Sequence, residues 1–175
     1  DVCGNVNIVA QKRQKIKCFS ESEEIMKKWV RWILPVFCIA WMFFIWHFSL
    51  SPATESAETS GGVRQLFNDV LQKWGVSFRF SDHMVRKTAH FTEFFVLGLL
   101  AAGAALSTNL EFPFLTASLA PIFAAAVDET IQRFVPGRAC LFTDALLDCA
   151  GGFCGVLIVF LFYLLFTRKR RKQAV

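Results

Sequence analysis

Apolar residues in this chain fall into four long blocks that are separated by shorter polar stretches. The first block covers residues 33–50 and the second 89–107, a third begins at Pro113, and the fourth covers about 144–166. A helix of about 20 residues, rising 1.5 Å per residue, crosses the roughly 30 Å hydrocarbon core of a bilayer. The pattern therefore predicts an all-α integral membrane protein built as a four-helix bundle.

The segment between the first two blocks has a different pattern. Residues 51–62 are rich in Ser, Thr, Gly and Ala and predict a loop. Over residues 63–74, apolar side chains such as Val63, Phe67 and Trp74 recur at helical spacing, with charged and amide side chains opposite. We predict an amphipathic interfacial helix between spans 1 and 2, since this segment is too polar to span.

Several residues predict where the spans begin and how they pack. Ser81, followed by Asp82, is a favoured N-cap for the second span. Pro113 suits the first turn of the third span, and Pro121 predicts a kink within it. Gly151 and Gly155 form a GxxxG pair in the fourth span, which we interpret as a place of close helix packing.

Composition supports the membrane interpretation and excludes another class. Hydrophobic residues make up 54% of the 175-residue chain and charged residues only 19%, against about 25% charged in soluble domains. The net charge of +5 does not indicate nucleic-acid binding, because the basic residues cluster beside the apolar blocks. Such clusters are typical of topology signals and of contacts with anionic headgroups. Membrane lipids are the expected partners.

The basic clusters also predict the orientation. Seven Lys and Arg residues precede the first span, and five occupy positions 168–172. With four spans, both ends lie on the same side of the cell membrane. The positive-inside rule assigns that side to the cytoplasm. Residues 51–88 and 128–138 are then extracytoplasmic.

Three regions follow from these patterns: a leader over 1–25, a transmembrane domain over 26–167 and a basic cytoplasmic tail over 168–175. The leader is polar and contains no apolar region, so it is not a signal peptide and is predicted to be disordered. Met26 resembles a bacterial start, so we expect 1–25 to be a mis-assigned upstream extension. The six cysteines form no CxxC pair and are interpreted as free thiols.

We counted about 20 residues along each of the last three spans, starting from its cytoplasmic end. The count places polar residues of all three spans at the outer boundary of the membrane. The third span, from Pro113, must continue to about Gln132 in order to cross. Charges within a bilayer turn towards the bundle interior, so these polar faces should meet and partly neutralise each other. The residues at this layer are Arg86, Lys87, His90, Glu93, Asp128, Glu129, Gln132, Arg133, Arg138, Asp144 and Asp148.

Three motifs of this layer, in order, resemble the VanZ-like family over residues 26–166. They are RKTAHFTEF at 86–94, DETIQRFVPGR at 128–138, and Asp144 with glycines following it. Asp148 departs from the pattern, because relatives often carry an amide there. The resemblance implies a bacterial cell-envelope protein linked to resistance against teicoplanin-type glycopeptide antibiotics. The positions that match the family motifs are Lys87, His90, Glu93, Asp128, Glu129, Gln132, Arg138 and Asp144.

These side chains suit acid–base chemistry or anion binding. The unperturbed pKa of an imidazole lies near neutrality, which suits a proton carrier, although His90 could equally bridge two acids. We predict a catalytic set of His90, Glu93, Asp128 and Glu129. The predicted substrate-binding set is Lys87, Gln132, Arg138 and Asp144. A metal site from His90, Glu93 and Asp128 or Glu129 is not favoured without an HExxH motif, so no metal or cofactor is expected.

Three function classes fit this pattern. One is a membrane enzyme acting on an anionic, lipid-linked cell-wall precursor at the outer leaflet. Another is a non-catalytic protein that binds an envelope lipid or a lipoglycopeptide antibiotic. A small transporter is the weakest, because the polar residues stop at one layer. The sequence leaves the first two open and predicts no oligomeric state.

Overall fold

The computed structural model describes the backbone of residues 2–51, 53–136, 138 and 141–173, and this part of the chain forms five helices and no strand. Within these residues, four segments are long and apolar enough to cross a membrane: Glu24–Ser49, Asp82–Ser107, Pro113–Gln132 and Phe142–Lys169. The predicted all-α fold with four membrane helices is confirmed. The helices are α1 (Val2–Ser49), α2 (Ala53–Lys73), α3 (Asp82–Ser107), α4 (Pro113–Gln132) and α5 (Phe142–Gln173).

The predicted loop over 51–62 is wrong, because helix α2 already begins at Ala53. Ala and Glu are good helix formers, and no proline interrupts residues 53–73, so one helix extends through the glycine pair. The helix is held against the start of α3. Asn68 accepts a hydrogen bond from the Phe80 N–H (2.8 Å) and donates one to the Phe80 carbonyl oxygen. Its placement in the membrane interface stays a prediction.

Both ends of the chain are helical over the described backbone. Helix α1 begins at Val2, whereas the sequence predicted a disordered leader over 1–25. No proline occurs before Pro35, and an established helix adds one hydrogen bond for each residue that it gains. Helix α5 likewise continues through the basic positions 168–172. The domain boundaries at 26 and 168 stay predictions.

The predicted start of α3 and both predicted ends of α4 are confirmed. The Ser81 hydroxyl accepts a hydrogen bond from the Met84 N–H at 3.2 Å and caps α3. Helix α4 begins at Pro113 and continues to Gln132, as the span length required. Cys38, Cys149 and Cys154 are free thiols, as predicted. The same prediction for the other three cysteines concerns side chains outside the described ones.

Helix α3 is central to the bundle, since it contacts each of the other four helices, and it packs most extensively on α5. The contact depends on glycines. A Cβ at Gly98 would overlap the Gly152 carbonyl oxygen, and one at Gly155 would overlap the Phe95 carbonyl oxygen. The predicted role of the α5 glycines in close packing is confirmed. The close contact between α3 and α5 places their first turns beside the last turn of α4.

Helix α1 is tied to the same unit by two indole groups. The Trp41 Nε1–H donates to the Glu93 carbonyl oxygen of α3 (2.9 Å), and the Trp46 Nε1–H donates to the Ala124 carbonyl oxygen of α4 (3.1 Å). Large apolar side chains on the outer faces of the spans are exposed, as expected for helices that face lipid.

Candidate functional site

A cavity of about 220 Å³ opens where the ends of α3, α4 and α5 meet. The elements reach it because α3 and α5 begin there and α4 ends there. Charged and amide side chains dominate its wall, and two leucines complete it. The lining residues are His83, Arg86, Lys87, His90, Gln132, Arg138, Leu141, Asp144, Leu147 and Asp148.

Two contacts organise the polar wall of this cavity. The Lys87 ammonium forms an ion pair with the Asp144 carboxylate, with 2.8 Å between Nζ and Oδ1. The Gln132 side-chain amide donates to the Asp128 carboxylate at 2.6 Å. These contacts join α3 to α5 and link two successive turns of α4. The predicted meeting of the three polar faces is therefore present in the structure.

Three carboxylates in or beside the wall of the cavity have almost no exposure. The exposed fraction is 0% for Asp128, 2% for Asp148 and 9% for Glu129. Oδ1 of Asp128 and both Glu129 side-chain oxygens lack a hydrogen-bond partner among the described residues. The buried Ser49 hydroxyl lies close to the Asp128 carboxylate, but its geometry does not meet hydrogen-bond criteria. Buried polar groups are normally paired, so this cluster is energetically costly unless a cation or proton joins it.

Two guanidinium groups supply positive charge at the same place. Neither Arg86 nor Arg138 has a carboxylate within ion-pair distance in the described part of the chain. Burial and the nearby Arg86 lower the pKa of Arg138, whereas Asp128 and Glu93 raise it. Two partly buried guanidiniums that repel each other favour a bound anion, since an anion would offset both burial and repulsion.

Other predicted residues lie elsewhere. Glu93 lines an apolar groove together with Trp41 and Phe67 and does not line the charged cavity, although its carboxylate is close enough to act electrostatically on Arg138. Glu129 is buried next to the cluster but does not line the cavity. Arg133, which the sequence placed in the charged layer, is exposed and outside the cavity.

Arg86, Asp148 and His83 line the cavity but were absent from the predicted site sets. Asp148 shares a helix face with Asp144 one turn earlier, and span counting already placed it at the boundary. Asp148 was nevertheless left out of the predicted site sets, because it departs from the family pattern. His83 lies four residues before Lys87 and seven before His90, and this helical spacing could have identified it as part of the same face.

One group of side chains has the composition of a metal site. His90, Asp128 and Asp148 each offer one ligand atom, and these atoms lie within 4.8 Å of one another. This set differs from the one considered from the sequence, because Asp148 takes the place that was expected for Glu93.

The fold and the site define a multi-pass membrane protein with a charged cavity at one end of its helix bundle. The chain belongs to the VanZ/LLP1 family, whose model matches residues 34–163. The resemblance drawn from the motifs is thereby confirmed. No curated protein and no solved structure matches the chain.

Proposed function

We propose that this protein binds the phosphate-bearing headgroup of an anionic, lipid-linked cell-envelope molecule at the outer leaflet of the bacterial membrane. The observation that carries the proposal is the pair Arg86 and Arg138, two guanidinium groups in one cavity without a carboxylate partner among the described residues. Guanidinium groups match phosphate oxygens in two-pronged geometry.

The size of the cavity favours a headgroup over a whole antibiotic. Its volume of about 220 Å³ is below the roughly 300–1,000 Å³ of pockets for drug-sized ligands. A phosphate or diphosphate fits, while a glycopeptide does not. A link to teicoplanin-type resistance would then arise indirectly, because the protein binds or alters the lipid-linked precursor on which such an antibiotic depends.

The neighbouring polar residues have supporting roles in this proposal. Lys87 adds a positive charge at the rim, and Asp144 holds its ammonium group in place. Gln132 lines the cavity and can donate to a phosphate oxygen with its second amide hydrogen. A lipid anchored in the bilayer would bring its headgroup to this depth without leaving the membrane.

Lipid binding by purified protein in detergent tests the proposal. The probe is a fluorescent lipid-linked peptidoglycan precursor, and the matching lipid alcohol without phosphate is the reference. We expect Arg138→Ala to weaken binding about ten-fold or more, because hydrogen bonds to charged groups contribute about 1.5–3 kcal/mol. Arg133→Ala, on the same connection but outside the cavity, should stay within about two-fold of the wild type.

Two results would contradict the proposal. One is equal affinity for the phosphate-bearing lipid and the lipid alcohol. The other is an equal loss of binding in Arg133→Ala and Arg138→Ala, because only Arg138 lines the cavity.

A second candidate is catalysis on the same lipid by the predicted set His90, Glu93, Asp128 and Glu129. It is favoured by the His90 Nδ1 position, 3.9 Å from the Asp148 Oδ1, since a carboxylate beside an imidazole can orient a general base. Incubation with the labelled precursor should then yield product, and His90→Ala and Glu129→Gln should bind the precursor without converting it. Full turnover in both variants would exclude catalysis by this set.

A further inference from the structure

The group of His90, Asp128 and Asp148 brings together three different helices. His90 comes from α3, Asp128 from the last turns of α4, and Asp148 from the second turn of α5. One ligand atom of each lies within 4.8 Å of the other two. His90 and Asp148 also line the charged cavity, so the group forms its floor.

The two aspartates of this group are almost completely buried, the His90 side chain is 19% exposed, and not every polar atom of the group has a hydrogen-bond partner. Asp128 is 0% exposed and Asp148 2%. Oδ1 of Asp128 and Nδ1 of His90 are inaccessible and have no hydrogen-bond partner among the residues that the structure describes. Gln132 satisfies the other Asp128 oxygen. A polar atom that is buried and unpaired costs about 1–3 kcal/mol, and more if it is charged.

The lysines and arginines of the described residues form no ion pair with the carboxylates of this floor. Lys87 is paired with Asp144, and Arg64 is paired with Asp82 on the outside of the bundle. No described Lys or Arg lies within ion-pair distance of Asp128 or Asp148. The nearest cationic group to the Asp148 carboxylate among the described ion pairs is the His90 imidazole, with 3.9 Å between Nδ1 and Oδ1.

We propose that His90, Asp128 and Asp148 bind one divalent transition-metal ion, Zn²⁺ or Mn²⁺, at the floor of the cavity. An imidazole nitrogen with two carboxylate oxygens suits these ions, whereas Ca²⁺ and Mg²⁺ prefer oxygen-only sets. In tetrahedral Zn²⁺ coordination, with ligands at about 2.0–2.1 Å, the ligand atoms lie roughly 3.3 Å apart. The present separations, all within 4.8 Å, exceed that spacing by at most about 1.5 Å.

Three protein ligands leave a coordination position free for a water or a substrate oxygen. That position would face the cavity, since two of the three ligands line it. The ion would then bind a phosphate oxygen directly, beside Arg86 and Arg138. This use of the ion rests on the proposed function, but the existence of the site does not.

Metal binding by the full chain in detergent tests the inference. The protein is treated with EDTA, dialysed against Zn²⁺ or Mn²⁺, and analysed for bound metal by mass spectrometry. We expect one ion per chain and at least about ten-fold weaker binding in Asp128→Asn and Asp148→Asn, since each variant removes one of three ligands. Asp69→Asn, on the exposed surface of α2, should bind metal as the wild type does.

Thermal unfolding of each variant without metal shows whether it is folded. Added metal should raise the unfolding temperature of the wild type and of Asp69→Asn, but not that of the two ligand variants. Absence of metal above the detergent blank, with an unchanged unfolding temperature, would overturn the inference and indicate a shared proton in its place. Equal binding in the ligand variants would overturn it as well.

The lipid-binding measurement separates this inference from the proposed function. Lipid binding that depends on Arg138 in EDTA-treated protein, without any metal uptake, would keep the proposed function and reject the metal site. Metal uptake that depends on Asp128 and Asp148, without selectivity for the phosphate-bearing lipid, would keep the metal site and reject the proposed function.

Discussion

Asp128 shows how a single buried carboxylate depends on a neighbour one helical turn away. Its side chain is inaccessible, and the Gln132 amide donates to Oδ2 at 2.6 Å. Residues four apart share a helix face, so this contact follows from the spacing within α4. The contact also fixes the direction in which Asp128 presents its remaining oxygen.

We predict that Gln132→Met destabilises the metal-free protein by about 1–3 kcal/mol, because a second Asp128 oxygen would then be buried without a donor. The measurement is chemical or thermal unfolding in detergent with EDTA present. Combining Gln132→Met with Asp128→Leu should recover much of the loss, since both polar partners are then removed.

The matched control for that variant is Thr130→Val on the same helix. The Thr130 hydroxyl is exposed and donates only to the Ala126 carbonyl oxygen within α4, so its loss should change stability by no more than about 0.5 kcal/mol. A Gln132→Met protein as stable as the wild type would show that Asp128 does not need the amide.

At the scale of elements, the contact between α3 and α5 determines whether the site exists. Gly98 and Gly152 allow the two backbones to meet directly. The contact lies further along the helices from the cavity, yet it sets the separation of His90 on α3 from Asp148 on α5. The glycines thus influence the site indirectly, by setting the distance between α3 and α5.

We predict that Gly98→Ala destabilises the protein by about 1–3 kcal/mol, the usual cost of an extra methyl group in a packed interior. The added Cβ would overlap the Gly152 backbone oxygen, which cannot move as a side chain can. Thermal unfolding measures the loss, and binding of the phosphate-bearing lipid should weaken in parallel.

Gly62→Ala is the comparison for Gly98→Ala. A Cβ at Gly62 in α2 meets nothing within 4 Å, so alanine should leave stability unchanged or raise it by up to about 1 kcal/mol through helix propensity. If both substitutions had the same effect, close packing of α3 on α5 would not be what the glycine provides.

At the scale of the whole molecule, four antiparallel spans place the charged cavity at one membrane face and the turn between α3 and α4 at the other. The basic clusters before the first span and at 168–172 predict that the cavity faces outward. Access from the outer leaflet is what the proposed function requires.

We predict that a membrane-impermeant thiol reagent labels Phe134→Cys in intact cells and labels Asn109→Cys only after permeabilisation. Both positions are exposed, and they lie at opposite ends of α4. The substitutions are made in a chain whose six native cysteines have been replaced. Membrane abundance of each variant is checked by blotting.

The opposite labelling pattern would place the cavity in the cytoplasm and would contradict the proposed access from the outer leaflet. Labelling of both positions in intact cells would contradict the four-span topology itself.

The sequence by itself determined the elements of this protein. Bilayer thickness requires helices of about 20 residues, so Pro113 and the apolar run after it already predicted that α4 extends to Gln132. Ser81 predicted the start of α3 through its side-chain cap. The prediction of a loop over 51–62 was wrong, because local composition is a weak guide to secondary structure where no proline interrupts a helix.

Only the tertiary structure decided which of the polar residues share one cavity. Successive residues of a helix are rotated by about 100°, so an error of one position changes the face that a side chain occupies. Glu93, about 60° away from His90 by this count, lines the apolar groove, and Asp148 lines the cavity. Close packing at Gly98 and Gly152 determines which faces of α3 and α5 meet, and no local pattern around Glu93 or Asp148 encodes that contact.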